Sequence, residues 1–390
     1  MGKRKTLIAS LLLAVLLTCC APATATIPST MEPISTPIAI PTATISIRPS
    51  QIPSTQQAEM LIEPYQDVRS QNLSKFNKSL GESLIKTLWF DQSTIWFGQD
   101  RQIAQNILEL GMNPGLGVRA LHAEGITGKG VTVAIIDQPV ILEHSEFEGK
   151  IVKYRDMGTG EASDQGSMHG PAVTSLLVGE HIGTAPGANI YYVAIPSWLL
   201  DAQYYADALE WIIEENEKLP QGSKIRAVSV SATPSGIWSE TKNAEAWDAA
   251  YQRATEVGIL VLDCSYENGI TVPCTYDLHD PDNVAKCIPN WTGLTDSPHV
   301  RLNIPTSRTT ATEVVNMHVG FSYQYTGRGG LSWTTPYLAG VLAMGWQINP
   351  NLMGSQLLDM LYSTAYEIDG STGVIDPRGF IEVVGQTVEK

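Results

Sequence analysis

Largely apolar runs alternate with helical patterns from about residue 118 to the end of the chain. Strands are predicted in short apolar runs at 131–136, 190–195, 227–231 and 259–262. Helices are predicted at 169–178, 199–217, 244–257 and 332–346. A strand that is apolar along its whole length needs cover on both of its faces. The alternation therefore predicts an α/β fold, in which helices cover both faces of a mostly parallel sheet.

Residues 1–20 resemble an export signal. A basic start is followed by a Leu-rich apolar run at 6–18, which is too short to span a bilayer comfortably. The run ends in Cys19 and Cys20, and residues 16–20 resemble the lipobox of bacterial lipoproteins, in which a cysteine receives a lipid. This resemblance implies a lipid on Cys20, or alternatively on Cys19, and an exported protein tethered to the outer face of the cell membrane. An ordinary cleaved signal, and hence a secreted protein, is the alternative.

Two segments separate this signal from the main domain at 118–390. Residues 21–58 are rich in Pro, Thr and Ser and carry almost no charge, which is typical of an extended linker. Residues 59–117 contain candidate helices at 76–88 and 101–110, with a cluster of aromatic residues between them. Such a segment packs on a neighbour rather than folding alone. It is therefore predicted to be either a pro-segment or an N-terminal extension of the main domain.

The formal net charge of -15 limits the partners of the chain. A body this acidic argues against binding nucleic acid or an anionic membrane through surface charge. The main domain contains Cys264, Cys274 and Cys287, so at least one of the three has no partner among the others. A Cys274–Cys287 disulfide and three unpaired thiols both remain open. A zinc site that uses these cysteines is disfavoured, because the paired Cys-x-x-Cys spacing is absent.

Three residues of the main domain are candidates for chemistry. Asp137 follows the strand predicted at 131–136, and sites in open parallel sheets gather at the carboxyl ends of strands. His169 begins a helix whose Pro171 suits a first turn. Ser332 precedes an apolar helix, where free N–H groups and the helix dipole favour a developing negative charge. Each residue alone also fits a structural role, such as a helix cap.

Five stretches, three of which contain these residues, resemble a single family over about residues 118–385. They are GKGVTVAIID at 128–137, HSEF at 144–147, HGPAV at 169–173, GTAPGA at 183–188 and GLSWTTPYLAG at 330–340. Together they are similar to the segments that carry the catalytic Asp, His and Ser of subtilisin-like serine proteases. The resemblance implies a three-layer sandwich with a mostly parallel sheet between helices. It also implies that Ser332 attacks the peptide carbonyl, His169 carries its proton and Asp137 orients His169.

The chain departs from the family pattern around the predicted substrate site. Gln138 and Pro139 follow the catalytic Asp, and Leu331 replaces a Thr before the nucleophile. Counted without a gap, the family's oxyanion-binding Asn is Glu267, and Asn268 comes one residue later. An Asn amide donates hydrogen bonds at any pH, whereas an ionised carboxylate only accepts them. Asn268 is therefore the predicted oxyanion donor, with Glu267 as the alternative.

The same resemblance implies a pocket for the substrate residue that precedes the scissile bond. Its two walls align with Ser231, Ala232 and Thr233 on one side and with Ser265 and Tyr266 on the other. Tyr266 stands where the family has a glycine. The pocket is therefore predicted to be shallow and to prefer small side chains such as Ala or Ser.

An endopeptidase that acts on peptides or proteins outside the cell is the leading hypothesis. One alternative is a subtilisin-like domain that binds peptides without cleaving them, since the usual Asn is missing. Another is a lipid-anchored solute-binding protein, for which the triad stretches would be coincidental. The family resemblance implies no required cofactor, although calcium often stabilises the family. A loop with Asp277, Asp280 and Asp282 is the candidate calcium site, and turn formation is the alternative role of these aspartates.

Overall fold

The computed structural model describes residues 61–390 except 77, 161–165, 238, 291–299, 370–371 and 389–390. Residues 59–390 make up one structural unit. The predicted export signal, its two cysteines and the Pro/Thr/Ser-rich linker lie outside the described residues. Within the described ranges, no helix has both the length and the apolar character needed to cross a membrane.

Helices and strands alternate through much of the described chain. The helices are α1 (Glu82–Ile85), α2 (Asp100–Leu110), α3 (Val118–Ala123), α4 (His169–Val178), α5 (Ala202–Lys218), α6 (Ala244–Glu256), α7 (Leu331–Ile348), α8 (Gly354–Thr364) and α9 (Pro377–Gln386). The strands are β1 (Trp89–Asp91), β2 (Thr132–Asp137), β3 (Ile151–Asp156), β4 (Asn189–Ala194), β5 (Ile225–Val230), β6 (Leu260–Leu262), β7 (Thr271–Thr275), β8 (Ile288–Pro289), β9 (Arg301–Pro305), β10 (Thr309–Val315), β11 (His318–Thr326), β12 (Tyr366–Asp369) and β13 (Thr372–Val374).

A parallel sheet with the order β3-β4-β2-β5-β6 lies at the centre of the fold. Every residue of β2 is buried, and its side chains alternate between two hydrophobic cores. Val133 and Ile135 belong to the core that also contains residues of α4, α7 and α9. Ala134 and Ile136 belong to the core formed with α5 and α6. Helices therefore cover both faces of the sheet, and the predicted three-layer α/β sandwich is confirmed.

The predicted elements of this sandwich differ from the observed ones mainly at their ends. The helix α4 covers the predicted residues 169–178, and β2 is shifted by one residue from the prediction. The helix α5 begins three residues later than predicted. Asp201 explains this start, because its carboxylate accepts a hydrogen bond from the Gln203 backbone N–H at 3.0 Å and caps the helix.

The helix predicted at 76–88 is wrong for most of its length, because α1 covers only four residues. Buried Asp100 binds the backbone just before α1: its carboxylate accepts hydrogen bonds from the N–H groups of Leu80, at 2.8 Å, and Gly81, at 3.4 Å. Gly81 also has a φ of 73°, outside the helical region. The second predicted helix, at 101–110, is confirmed as α2.

Two further sheets were not predicted from the sequence. An antiparallel sheet has the order β1-β11-β10, and a mixed sheet has the order β12-β13-β9-β7-β8. The pairing of β1 with β11 joins Trp89 to Thr326, so these strands are far apart in the chain. Periodicity within a short window does not detect such long-range pairing.

Residues 61–110 share a hydrophobic core with the rest of the fold. Phe90 of β1 is fully buried, with its ring 5.1 Å from that of Trp96 and 5.4 Å from that of Tyr325 in β11. The backbone also crosses between the two regions, because Gly327 N donates to Leu88 O at 2.9 Å. The segment that precedes the main domain is therefore integrated into the β1-β11-β10 sheet.

Candidate active site

The carboxyl end of β2 places Asp137 beside the first residue of α4. Asp137 is 5% exposed, and its Oδ1 lies 2.7 Å from Nδ1 of His169. The Gln138 N–H donates to the same carboxylate oxygen at 2.8 Å. A Cβ at Gly170 would lie 2.4 Å from the Gln138 carbonyl oxygen, so only glycine lets the start of α4 approach the loop after β2 this closely.

The electrostatics of this pair favour a charged imidazole. Burial lowers the pKa of His169, but the negative charge of Asp137 and its hydrogen bond together outweigh that effect, so the pKa is raised. With Nδ1 bonded to the carboxylate, Nε2 is the ring nitrogen left for a substrate or a nucleophile. The Asp–His pair is therefore suited to accept a proton and to stabilise the resulting cation.

Ser332 is the second residue of α7, where backbone N–H groups have no intrahelical acceptor. Its hydroxyl donates to the Ser231 carbonyl at 3.1 Å, and the Ser231 hydroxyl donates to the Ser332 carbonyl at 2.8 Å. Trp333, the next residue, lies edge-on to His169 with 5.6 Å between ring centroids. The first turns of α7 and α4 thus meet, and they bring Ser332 into the region of the Asp–His pair.

The predicted pocket walls follow β5 and β6, which are neighbouring strands. Ala232 O accepts a hydrogen bond from Cys264 N at 2.9 Å, so the two loops run side by side. Ser265 is fully buried and donates its hydroxyl to Asp263 at 2.7 Å, which places it beneath the loop rather than on its surface. Tyr266 is partly exposed, and Thr233 makes a longer contact with Cys264 O at 3.4 Å.

The two candidate oxyanion donors have different partners. Glu267 Oε1 accepts a hydrogen bond from Ile237 N at 3.1 Å, which holds its carboxylate against the loop after β5. The Asn268 side chain lines a small cavity together with buried Asp263, and its backbone N–H donates to the Ser265 hydroxyl at 3.1 Å. Burial raises the pKa of Asp263, while hydrogen bonds from Ser265 partly offset this effect. An Asn amide carries two N–H donors at any pH, which suits it to bind a developing oxyanion.

The cysteines and the aspartate loop have structural contacts. Cys274 and Cys287 form a disulfide, and Cys264 is an unpaired thiol. Lys286 lies 2.8 Å from Asp277 and 3.0 Å from Asp280 in ion pairs. Asp282, the third residue of the candidate calcium loop, accepts from Gly117 N at 2.8 Å. With these oxygens facing a lysine and a backbone N–H, the loop does not fit a calcium site, and the described residues hold no cluster of three or more potential metal ligands.

The sequence analysis did not identify one buried acidic residue that lies beside the site. Glu313 in β10 is fully buried and lies between the loop that follows Asp137 and the residues that precede His169. Nothing in the local pattern TTATEVV distinguishes this acid from one on the solvent face of a strand. Only the long-range pairing of β10 brings it to the site.

A central parallel sheet, with an Asp–His pair at the end of one strand and a serine at a helix N-terminus, defines a class of serine hydrolases. The family model described as "Subtilase family" matches residues 128–293, a range that includes Asp137 and His169 and ends before Ser332. The chain is similar to Subtilisin E of Bacillus subtilis, with 25% identity over 314 residues that cover 75% of this chain and 76% of that protein. It is also similar to the subtilisin-like protease PopC of Myxococcus xanthus, with 23% identity over 65% of this chain and 59% of that protein.

Solved structures share the fold. Fervidolysin from Fervidobacterium pennivorans, a keratinolytic enzyme related to subtilisin, matches 70% of this chain and 45% of its own, with a TM-score of 0.51 and 19% identity. The prenylagaramide maturation protease PagA matches 70% of this chain and 99% of its own, with a TM-score of 0.50 and 18% identity. The matched residues 128–293 and the curated relatives make the chain similar to subtilases and support a subtilisin-like serine endopeptidase.

Proposed function

We propose that this endopeptidase cleaves peptide bonds through an acyl-enzyme on Ser332, with His169 as general base and Asp137 as the group that orients it. The 2.7 Å contact between Asp137 and His169 at the end of β2 is the observation that carries the proposal. It fixes Nδ1 of the imidazole and leaves Nε2 to receive the serine proton. The proposed reaction uses these side chains and water, without a cofactor.

The proposed chemistry has two halves. Ser332 Oγ bonds to the carbonyl carbon while its proton passes to His169 Nε2, and His169 then gives that proton to the leaving amine as the peptide C–N bond breaks. Water next attacks the ester, loses its proton to His169 and releases the carboxylic acid as Ser332 recovers its proton. Asp137 stabilises the imidazolium in both halves, in agreement with the raised pKa of His169.

The hydroxyl of Ser332 has to change partners before it attacks. In the structure it donates to the Ser231 carbonyl at 3.1 Å. We propose that it rotates about χ1 towards His169 when a peptide occupies the site. Rotation of a serine hydroxyl between staggered positions needs no backbone movement, so this resting contact is compatible with catalysis.

The oxyanion of each tetrahedral intermediate needs hydrogen-bond donors. We propose the Ser332 backbone N–H, at the amino end of α7, as one donor and the side-chain amide of Asn268 as the other. The Asn268 backbone N–H, which donates to the Ser265 hydroxyl at 3.1 Å, would hold this residue in place. Glu267 is a poorer candidate because its carboxylate already accepts from Ile237 N.

The substrate is proposed to be a peptide or protein outside the cell. Lipidation of Cys20, or of Cys19, would tether the enzyme, and the linker at 21–58 would space it from the membrane. Radiolabelled palmitate should enter the wild type and not a Cys19→Ser/Cys20→Ser variant. Equal incorporation into both proteins would reject the tether.

We also propose that residues 61–117 are retained in the working enzyme. Support comes from β1, which is paired to β11, and from Phe90, which is fully buried against Tyr325. Intact-mass analysis of the active, processed protein should find this segment present. A fully active protein that begins after residue 117, with the segment absent, would identify it as a removable pro-segment.

Reaction with a fluorophosphonate tests the proposed nucleophile directly. The wild type should gain one phosphonyl group on Ser332, located by peptide mass spectrometry, since an activated serine attacks phosphorus as it attacks a carbonyl. His169→Ala should label far more slowly, and Ser332→Ala should not label at that position. A folded wild type that binds peptides but neither labels nor cleaves them would instead support the non-cleaving peptide-binding domain.

A further inference from the structure

We propose that Glu313 is a positioning residue, whose carboxylate ties together the two loops that carry Asp137 and His169 and so sets the geometry of the Asp–His pair. The inference rests on the proposed function, because it assigns Glu313 a role in that same reaction. Glu313 belongs to β10, outside the stretches that resemble the subtilase family and outside the residues that the family model matches.

The β10–β11 ladder directs this side chain inward. The pairing shifts register between Thr312 and Val314, so Glu313 occupies an irregularity in the ladder. Such bulges redirect a side chain and often occur next to active sites. Here Glu313 becomes fully buried, whereas Val314 and Val315, which follow it, are only partly buried.

The carboxylate binds one backbone group in each of the two loops. Its Oε1 accepts from Ile141 N at 2.7 Å, four residues after Asp137. Its Oε2 accepts from Ser167 N at 3.2 Å, two residues before His169. The Glu313 backbone adds a third contact, because its N–H donates to Ser167 O at 3.1 Å. One side chain therefore links the segments on either side of the Asp–His pair.

Further contacts carry this link to the start of α4. The Ser167 hydroxyl donates to the Pro139 carbonyl at 2.8 Å and accepts from Gly170 N at 3.2 Å. Gly166 permits the close approach, since its φ is +68° and a Cβ there would lie 2.9 Å from the Glu313 carbonyl oxygen. The two loops and the first turn of α4 thus form a continuous hydrogen-bonded unit that depends on Glu313.

A carboxylate suits this position because both of its oxygens accept hydrogen bonds. Burial raises the pKa of Glu313 to about 7, the two backbone N–H groups oppose that effect, and the charge of Glu143 in the same loop adds to it. Tyr192 of β4 also faces this region. Burial is the main reason that the pKa of Tyr192 is raised, and the negative charges of Asp137 and Glu313 raise it further. Protonated Glu313 would present an O–H donor to a backbone N–H, which would break one of the two links.

The full-length Glu313→Gln variant tests the proposal, because the amide has the same shape but presents an NH₂ group to one loop. Well above pH 7, where the wild-type carboxylate is ionised, kcat should fall between about tenfold and about a hundredfold with KM unchanged, since small misplacements of catalytic groups have effects of that size. The ratio of wild-type to variant kcat should narrow at lower pH, where the wild type becomes protonated. The Glu313→Asp variant keeps the charge but is one methylene too short to reach both loops, so kcat should again fall.

Glu146→Gln is the matched control. Glu146 is also fully buried, and its carboxylate accepts from His181 N at 3.0 Å and from the Tyr323 hydroxyl at 2.8 Å. Removing its charge should lower Tm about as much as Glu313→Gln does, but kcat should not change. This contrast separates a general loss of stability from a loss of positioning.

Unchanged kcat in folded Glu313→Gln, or in folded Glu313→Asp if the first variant does not fold, would overturn the proposal. An equal loss of kcat in Glu146→Gln would also overturn it. If the wild type has no hydrolytic activity and does not label with fluorophosphonate, the proposed function itself fails. That outcome is distinguishable from an active wild type whose Glu313 variants are equally active.

Discussion

The parallel-sheet sandwich and the β1-β11-β10 sheet with its attached N-terminal segment are built differently. In the sandwich, strands and helices follow one another in the chain, and Asp137, His169 and Ser332 all lie at ends of its elements. In the β1-β11-β10 sheet, β1 pairs with a strand that is far away in the chain, since Trp89 of β1 lies opposite Thr326 of β11. This region contributes buried aromatic packing and Glu313. Under the proposed function, the sandwich would carry the chemistry, whereas the second region would stabilise the fold and position the Asp–His pair.

The triad variants should show the largest effect in this comparison. Ser332→Ala, His169→Ala and Asp137→Asn should each lower kcat by roughly 10⁴- to 10⁶-fold, and combining them should add little, because the three groups act as a unit. Their Tm values should stay near that of the wild type. Steady-state kinetics and calorimetry on each variant measure both properties, and full activity in Ser332→Ala would end the serine-protease assignment of this residue.

Phe90→Ala tests the other region. Phe90 is fully buried against Trp96 and Tyr325, so truncation should lower the free energy of unfolding by about 3–5 kcal/mol. The kcat of the folded enzyme should not change. Ile95→Ala is the control, since Ile95 is 47% exposed in the same segment and its truncation should cost little. If Phe90→Ala lowered kcat but not the free energy of unfolding, the assignment of a stabilising role to the β1-β11-β10 region would be wrong.

Asn268→Ala examines a residue at the edge of the sandwich. Loss of one oxyanion donor removes about 2.7–4 kcal/mol of transition-state stabilisation, so kcat should fall about a hundredfold or more while KM changes little. Glu267→Gln should leave kcat unchanged. A decrease in Tm without a decrease in kcat for Asn268→Ala would show that the Asn268 side chain has only a structural role.

The pH at which His169 loses its proton depends on Asp137, its neighbour within the sandwich. Because Asp137 raises the pKa of His169, the imidazole stays protonated to a higher pH than an ordinary histidine. Activity should therefore rise with pH as the ring loses its proton. In a Ser332→Ala background, NMR titration of the His169 ring should show a lower pKa once Asp137→Asn is added. An unchanged titration would contradict the electrostatic role given to Asp137.

Tyr266→Gly should have the smallest effect of these variants, because it should change substrate preference rather than the rate of the reaction itself. The tyrosine ring is proposed to fill the pocket before the scissile bond, so the wild type should prefer Ala or Ser there. Removing the ring should improve the relative kcat/KM for Phe, by roughly 10- to 200-fold if one methylene-sized contact is gained. A peptide library compares the two enzymes, and an unchanged preference would place the Tyr266 ring outside the pocket.

The sequence was informative wherever structure depends on neighbours in the chain. The apolar run before Asp137 and the Pro171 turn after His169 set the bounds of β2 and α4 nearly to the residue. The cysteine count left the pairing open, and the structure joins Cys274 to Cys287. The family resemblance singled out Asp137 and His169, which the structure places in contact.

Long-range contacts account for what the sequence did not predict. Asp100 binds the backbone N–H groups of Leu80 and Gly81, which shortens a predicted helix to four residues. Glu313 reaches the site only because β10 pairs with β11 and bulges there. No local pattern records either contact, since each depends on residues brought together by the completed fold.

Trapping the acyl-enzyme tests the central claim most directly. The full-length enzyme should be mixed with a p-nitrophenyl ester, quenched in acid during the burst, and analysed by intact-mass and peptide mass spectrometry. We predict a single added acyl group on Ser332 in the wild type and in Glu146→Gln, and none in Ser332→Ala. Rapid peptide hydrolysis without any acylation of Ser332, or with acylation only at another residue, would contradict the account.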